Sequence, residues 1–288
     1  MINADFRLRP MTREDMGAAM KLSMDAGWNQ IENDWRRLME NPENVCLAAE
    51  CNGRMIGTTT AINYANQVAW IGMVLVDKAF RGRGVSKSLL THIFQKLESC
   101  KSVKLDATPE GQQVYKKIDF KDEYRIVRMT NPSWKPLFSG ANADAEPESV
   151  RLKDLPGIIA LDELVFGANR SRLIGSLIKE YPPKAWLLKR GNQVAGFALG
   201  REGNRYNQLG PLTASTVTDA RTLLSAALKN LAGQPVLVDL PEDKKEISDW
   251  LISMGFIQQR HFMRMYKSEN PFPGTIDKQF LIAGPEFG

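Results

Sequence analysis

The chain reads as an α/β protein, a mixed α+β sheet flanked by helices, built twice in tandem. Three observations predict this. Apolar runs of period two alternate with amphipathic stretches of helical period. The two halves also echo each other in order: "FRLRPMTREDMGAAMKLSM" from Phe6 with "VRLKDLPGIIALDELVF" from Val150, "CLAAECNGRMIGTTTAI" from Cys46 with "WLLKRGNQVAGFALG" from Trp186, and "VYKKIDF" from Val114 with "WLISMGF" from Trp250. A shared three-part order at similar spacing is what a duplicated domain leaves in a sequence. Between the halves, "PSWKPLFSGANADAEPE" mixes prolines with Gly, Ser, Asn and Ala and has no periodicity, which marks a linker. The expected organisation is therefore a domain over 1–131, a linker over 132–148 and a second domain with a C-terminal tail over 149–288.

Along the first half, the pattern predicts a strand over 6–9, then a helix over 13–26 with Thr12 as its N-cap, then a helix over 32–40. Strands follow over 45–50, 55–63 and 69–76, the first two joined by a turn containing Asn52 and Gly53. A helix over 84–99 places Val85, Leu89, Leu90, Ile93, Phe94 and Leu97 on one face. A strand over 103–107, a short helix over 111–117 and a strand over 120–129 complete the unit.

The composition is that of a globular protein: 43% hydrophobic and 8% aromatic over 288 residues, enough for two cores. The net charge of +5 favours anionic ligands without choosing among them. No RNA-motif signature, zinc-finger spacing or long basic run accompanies it, which argues against nucleic acid as a partner. The cysteines, Cys46, Cys51 and Cys100, form no C-x-x-C pair and read as buried small apolar residues of a reduced protein. The start "MINADFRLRP" lacks an apolar run behind a basic one, and no stretch approaches the length of a membrane span, so a cytoplasmic location and no membrane partner are expected.

The most informative stretch is "FRGRGVSKSLL", between the apolar strand "WIGMVLV" and the 84–99 helix. It sets the unpaired N–H groups of a helix start at a strand edge, where orphan amides and the helix dipole attract an anion and glycines allow close approach. Taken alone, such a turn is also what any strand-to-helix connection with a left-handed residue needs.

This segment resembles the acetyl-CoA signature of the GNAT superfamily of acyltransferases, [QR]-x-x-G-x-[GA], read here as Arg81-Gly82-Arg83-Gly84-Val85-Ser86. "VYKKIDF" is similar to that superfamily's later Y-x-x-x-G-F element, with Tyr115 in the tyrosine position, about 30 residues on. The resemblance covers 1–131 and implies an N-acetyltransferase that uses acetyl-CoA as cosubstrate without a metal. It implies backbone contacts to the pantetheine arm from Val74, Leu75 and Val76, and pyrophosphate binding at Arg81, Gly82, Arg83, Gly84, Val85, Ser86 and Lys87. Thr108 stands where many members carry a cofactor-contacting asparagine. Ser86 replaces the last Gly or Ala of the signature, and Asp119 replaces the glycine before Phe120; if that position is left-handed, Asp is among the few tolerated substitutes.

An amine can attack a thioester directly, provided the protein aligns it, stabilises the oxyanion and protonates the departing thiolate. The resemblance makes Tyr115 the general acid, a phenol of pKa about 10 that is protonated at neutral pH; as a residue, it is equally an amphipathic core tyrosine. Glu50, Asp77 and Glu123 are base candidates or solvated carboxylates. Two histidines, His92 and His261, give little support for a metal site or a Ser-His-Asp triad. In "GWNQIENDW", Trp28 and Asn29 suit acceptor recognition or helix packing, and Trp35 suits the core. In "DELVFGANRSRL", Asp162, Phe166 and Arg170 are placed facing the same cleft. The second half looks like a degenerate copy: "QLGPLTASTVTDA" has no arginine and carries Pro211, and Leu251 stands in the tyrosine position. It is expected to form a wall, an acceptor-specificity element or a dimer surface. The acceptor is a primary amine on a small molecule or protein. The rival readings are a CoA-binding sensor without turnover and a nucleic-acid-binding module, the latter with steeply salt-dependent affinity.

Overall fold

The computed structural model describes residues 6–136 and 146–288. The expected linker thus lies partly outside the described residues, in 137–145. In the N-terminal half the elements are β1 (Arg7–Pro10), α1 (Met16–Asp25), α2 (Glu32–Glu40), β2 (Val45–Cys51), β3 (Arg54–Tyr64), β4 (Val68–Val76), α3 (Val85–Lys96), β5 (Ser102–Ala107), α4 (Pro109–Lys116) and β6 (Phe120–Asn131). In the C-terminal half they are β7 (Glu148–Ser149), α5 (Leu155–Phe166), α6 (Ser171–Glu180), β8 (Trp186–Arg190), β9 (Gln193–Arg201), β10 (Asn207–Ala214), α7 (Val217–Lys229), β11 (Val236–Pro241), α8 (Lys245–Ser253), β12 (Ile257–Lys267) and β13 (Gln279–Leu281). The same order recurs in both halves, as the echoes predict. The helix expected over 13–26 opens instead as a 3-10 turn, Arg13–Asp15, because the Asp15 carboxylate accepts from the Thr12 N–H at 2.7 Å and tightens the first turn.

All strands join one mixed sheet in the order β1-β2-β3-β4-β5-β12-β6-β11-β10-β9-β8-β7, with β13 added on β10. Among the described residues only the pairs β4·β5 and β10·β11 are parallel. The halves exchange their last long strands. β12, from the end of the second half, pairs with β5, and β6 lies between β12 and β11. Each half therefore completes the sheet of the other, and β6 with β12 form a ladder of ten residue pairs at the centre.

Three large cores, and a small cluster of Ile126, Phe262 and Ile282, follow from this layout among the described residues. Val85, Leu89, Leu90 and Ile93 of α3 pack with Ile71 and Leu105 in one, and Leu223, Leu224, Ala227 and Leu228 of α7 pack with Leu209 and Val238 in another. The third is common to both halves: Trp35, Leu38 and Trp70 meet Ile158, Phe166, Leu177 and Phe197, and the tail contributes Phe287. A chain of buried ion pairs runs alongside it. Arg201, 0% exposed, bonds Asp34 at 2.6 Å, Gln208 at 2.8 Å and Glu286, and Arg128 forks onto Asp239 at 2.7 and 2.8 Å. Such charges need their partners to be tolerated inside.

Candidate functional site

The site begins where two parallel strands part. β4 pairs with β5 from Val68↔Ser102 to Ile71↔Leu105, and no further, although both strands continue. Just past that point the register of β4 against β3 shifts, and Met73 takes a left-handed φ of 50°. This bulge turns the strand away from β5, and a non-glycine residue held there is the kind of strain found at binding sites. Thr58 secures it by donating its hydroxyl to the Met73 carbonyl at 2.8 Å. The result is a V-shaped opening whose arms, residues 73–76 on one side, carry backbone groups that no longer pair across to β5.

A cavity of about 860 Å³ occupies this opening and extends on both sides of the sheet. On one side stands the start of α3. Gly82 and Gly84 have φ of 75° and 79°, and Gly84 is the N-cap with no side-chain cap, so the first-turn amides are open. A β-carbon on Gly82 or Gly84 would meet nothing within 4 Å, so the backbone there is bare toward the cavity. Val74, Leu75, Val76, Arg81, Gly82, Gly84, Val85, Ser86, Thr108 and Tyr115 all line it. Arg83 and Lys87 do not; the Arg83 guanidinium lies 5.2 Å from the Phe80 ring centroid. The Thr108 hydroxyl caps α4 by accepting from the Gly111 N–H at 3.2 Å. Asp119 adopts a left-handed φ of 69°.

Tyr115 is 9% exposed, with its ring 5.6 Å from that of Phe120. Burial alone pushes its phenol above the ordinary tyrosine value, so the hydroxyl stays protonated.

Several expected residues lie elsewhere. Glu50 accepts from Arg7 and Arg9 at the sheet edge, Asp77 accepts from the Ala79 N–H and pairs with Arg54, and Glu123 accepts from Lys104 and Asn270. None of the three lines the cavity. Asn29 does not line it either. Its amide oxygen accepts from the Arg205 and Tyr206 N–H groups, both at 3.0 Å, and its Nδ2 donates to the Tyr206 carbonyl at 3.1 Å, which staples the loop between α1 and α2 to the other half. Trp28 is on the cavity wall. Asp162 and Arg170 form a buried pair that holds the Gly288 carbonyl, and Phe166 packs beneath Arg170, all away from the cleft. The Cys46 thiol is pushed up to about 12 by burial, far from a nucleophile's range.

The C-terminal tail reaches the site. After β13 the chain crosses to the N-terminal half, where Tyr64 donates to the Phe287 carbonyl at 2.8 Å and Trp70 to the Pro285 carbonyl at 2.9 Å. Pro285 and Glu286 line the cavity, and a β-carbon on Gly72 would come within 3.1 Å of the Glu286 Cα. The glycine at the apex of the V is thus where the tail docks. The one available signal was the apolar "FLIAG" run after a polar stretch.

The second half repeats the V but fills it. β10 pairs with β11 only from Asn207↔Val236 to Leu209↔Val238. Beyond that β13 takes the gap, pairing Leu281 with Leu212 and Gln279 with Thr213, and the Ile282 N–H donates to the Asp239 carbonyl of β11 at 2.9 Å. The start of α7 is closed too, since the Thr216 hydroxyl accepts from the Asp219 N–H at 3.1 Å.

The comparisons agree with this geometry. The family description "Acetyltransferase (GNAT) domain" matches residues 12–130 and again 158–281. The chain belongs to the GNAT family, as a tandem of two such domains. Holothin acyltransferase of Pseudoalteromonas sp. (strain SANK 73390) is 24% identical over 281 residues, 97% of this chain and 94% of that protein. The uncharacterized N-acetyltransferase YitH of Bacillus subtilis (strain 168) is 24% identical over 243 residues, 84% of this chain and 85% of its own. Among solved structures, a putative acetyltransferase from Pyrococcus horikoshii has a TM-score of 0.81 at 23% identity, covering 98% of this chain and 96% of its own. A tandem GNAT protein from the clavulanic acid biosynthesis pathway has 0.65 at 12%, covering 91% and 98%; at these identities the likeness is one of fold. Among the described residues no cluster of three or more His, Cys, Asp or Glu is placed to hold a metal, and no helix is long and apolar enough to cross a membrane.

Proposed function

We propose that the protein is an N-acetyltransferase that moves an acetyl group from acetyl-CoA to a primary amine in the N-terminal cleft, with 1–131 as the catalytic unit and 149–288 as a second unit that binds no CoA. The observation that carries this reading is the unfilled V at Met73 with the uncapped start of α3 at its mouth. The amides of the first turn of α3, with Arg81 beside them, suit the pyrophosphate. The groups of 73–76 that no longer pair with β5 suit the amide-bearing pantetheine arm, which would extend β4 as a further strand does. In the second half β13 already takes that place.

In the transfer, the amine nitrogen bonds to the thioester carbon, the C–S bond breaks, and the thiolate takes a proton from the Tyr115 hydroxyl, while the nitrogen loses its proton to water or a base. Backbone N–H groups at the bulge suit the transient oxyanion. Glu50, Asp77 and Glu123 are engaged elsewhere, which favours a second reading, a protein that binds acetyl-CoA without transferring its acyl group. Thiol release from acetyl-CoA across a panel of primary amines separates the two: amine-dependent release supports transfer, and tight binding with no release from any amine supports the sensor.

A further inference from the structure

On the face of the sheet away from α3 and α4, the cavity is walled by Trp28 and Gln30 of the α1–α2 loop, Gly72, Pro285 and Glu286 of the tail, and Arg128, Arg260 and Phe262 of the exchanged strands. The loop is pinned to the other half through Asn29, including a 2.7 Å bond from the Asn204 N–H to the Asn29 carbonyl, so this side of the cavity has a fixed wall. Its polar groups are distributed unevenly. On the side where the tail docks lie oxygens: Glu286, whose backbone abuts Gly72 and whose carboxylate Arg201 holds, and Gln30 of the lining, whose buried Oε1 has no donor. Farther along β12 lies a cation. Arg260 stands opposite Arg128 in the register of β12 and β6. Arg128 has Asp239 as its partner, whereas Arg260 makes no ion pair among the described residues, only a 3.4 Å bond to the neighbouring Gln259 side chain. Arg260 is half-buried, with its guanidinium 5.9 Å from the Phe262 ring centroid. A second guanidinium beside a paired one, partly out of water, is unfavourable unless an anion joins it. Burial and the neighbouring Arg128 both push Arg260 below its ordinary value.

We propose that the acceptor is a small amine that also carries an oxyanion, a carboxylate or a phosphate, which Arg260 holds while the amine lies against the oxygens of Gln30 and Glu286 beside Gly72. The inference rests on the acyl-transfer reading for the direction of the amine, and it deepens that reading by naming the acceptor class. An arginine fork matches either oxyanion with two parallel N–H···O bonds. The polarity of this side of the cavity, oxygens near the bulge and a guanidinium away from it, orients such a molecule with its nitrogen toward the thioester.

The test is calorimetric binding to the protein saturated with CoA, so that no transfer is needed. The probes are ω-amino acids of increasing length and O-phosphoethanolamine, each beside the counterpart that lacks the oxyanion, the alkylamine or ethanolamine. At least one anionic amine is expected to bind about 10-fold or more tightly than its counterpart, and Arg260→Gln to erase that advantage, in line with the worth of a charged hydrogen bond. Arg260→Lys should keep part of it, and CoA affinity should be the same in all three proteins, which confirms that the variants fold. The carboxylate and phosphate arms show which oxyanion is taken. Amines without an oxyanion binding as tightly as those that carry one, no binding of any amine that carries one, or an advantage that survives Arg260→Gln would each overturn the proposal. An anionic amine that binds through Arg260 yet is never acetylated when acetyl-CoA replaces CoA would leave this site standing and refute the transfer reading instead.

Discussion

Tyr115→Phe removes one oxygen from the cleft and nothing from the core. The ring, 9% exposed and 5.6 Å from Phe120, keeps its packing, and burial is the only influence on the phenol, so no buried partner is orphaned. Stability should therefore change by no more than about 0.5 kcal/mol. Turnover should fall about 100- to 10,000-fold, the usual worth of a positioned general acid, or roughly 3–5.5 kcal/mol of barrier. Acetyl-CoA affinity should hold. The pH behaviour follows from the raised phenol. Because the folded protein holds this proton more tightly than the unfolded chain, whose tyrosines titrate near pH 10 (about the free value), the associated stability is complete below about pH 10 and is lost as pH rises beyond it. The wild-type rate should then show no loss from this acid below about pH 9. The assay is thiol release at saturating amine, with circular dichroism melting as the folding control. A folded Tyr115→Phe protein with turnover within about two-fold of wild type would refute the assignment, since a group worth a general acid's share cannot be absent at so small a cost.

Further predictions concern the frame around the cleft. Asn29→Ala should lower stability by about 1–3 kcal/mol in chemical denaturation, because it orphans the Arg205 and Tyr206 N–H groups, while leaving acetyl-CoA affinity unchanged. Arg201→Met strips the shared partner from Asp34 and Glu286 and should cost about 3–5 kcal/mol. Burial raises both carboxylates, so their proton binding favours the folded state at low pH, and the loss should be smaller near pH 5 than near pH 8 (both rough) in melts of the variant. Asp119→Gly should raise stability by up to about 1 kcal/mol by relieving a left-handed residue, since the exposed Asp119 makes only a loose 3.8 Å pair with Lys267.

The elements of the first half were legible because their signals are local. The α2 span and the β4 run stand nearly as the periodicity places them, and the Gly82 and Gly84 backbone takes the left-handed form that a glycine-bearing turn before a helix announces. Several features were not legible. The strand exchange leaves no local mark, because β6 and β12 carry similar alternation and either can pair with β5 or β11. The bulge falls at Met73, a residue with no left-handed preference, so only the loss of β5 pairing reveals it. Asn29 misled for a chemical reason: a polar residue beside Trp28 in a loop looks available to a ligand, yet its amide satisfies backbone donors of a segment more than a hundred positions away, which only the fold could show. The same reason hid the place of Arg260 in the cleft and the docking of Pro285 and Glu286 at Gly72, since all three come to the cleft from the second half, and the apolar run at 280–284 marks a buried segment but not its docking place.

The measurement that bears most directly on the central claim is the stoichiometry of acetyl-CoA binding by calorimetry, on the wild type and on Gly84→Glu. Gly84 has a φ of 79° and open space at its β-carbon, so the substitution strains the turn and sets a carboxylate over the open amides of α3. Like charge near 4 Å at a protein surface is worth up to about 4 kcal/mol, enough to weaken binding more than about 100-fold. One acetyl-CoA per chain, lost in Gly84→Glu, is the predicted result; two per chain, or one that survives the substitution, would contradict a single acyl-CoA site in the N-terminal cleft.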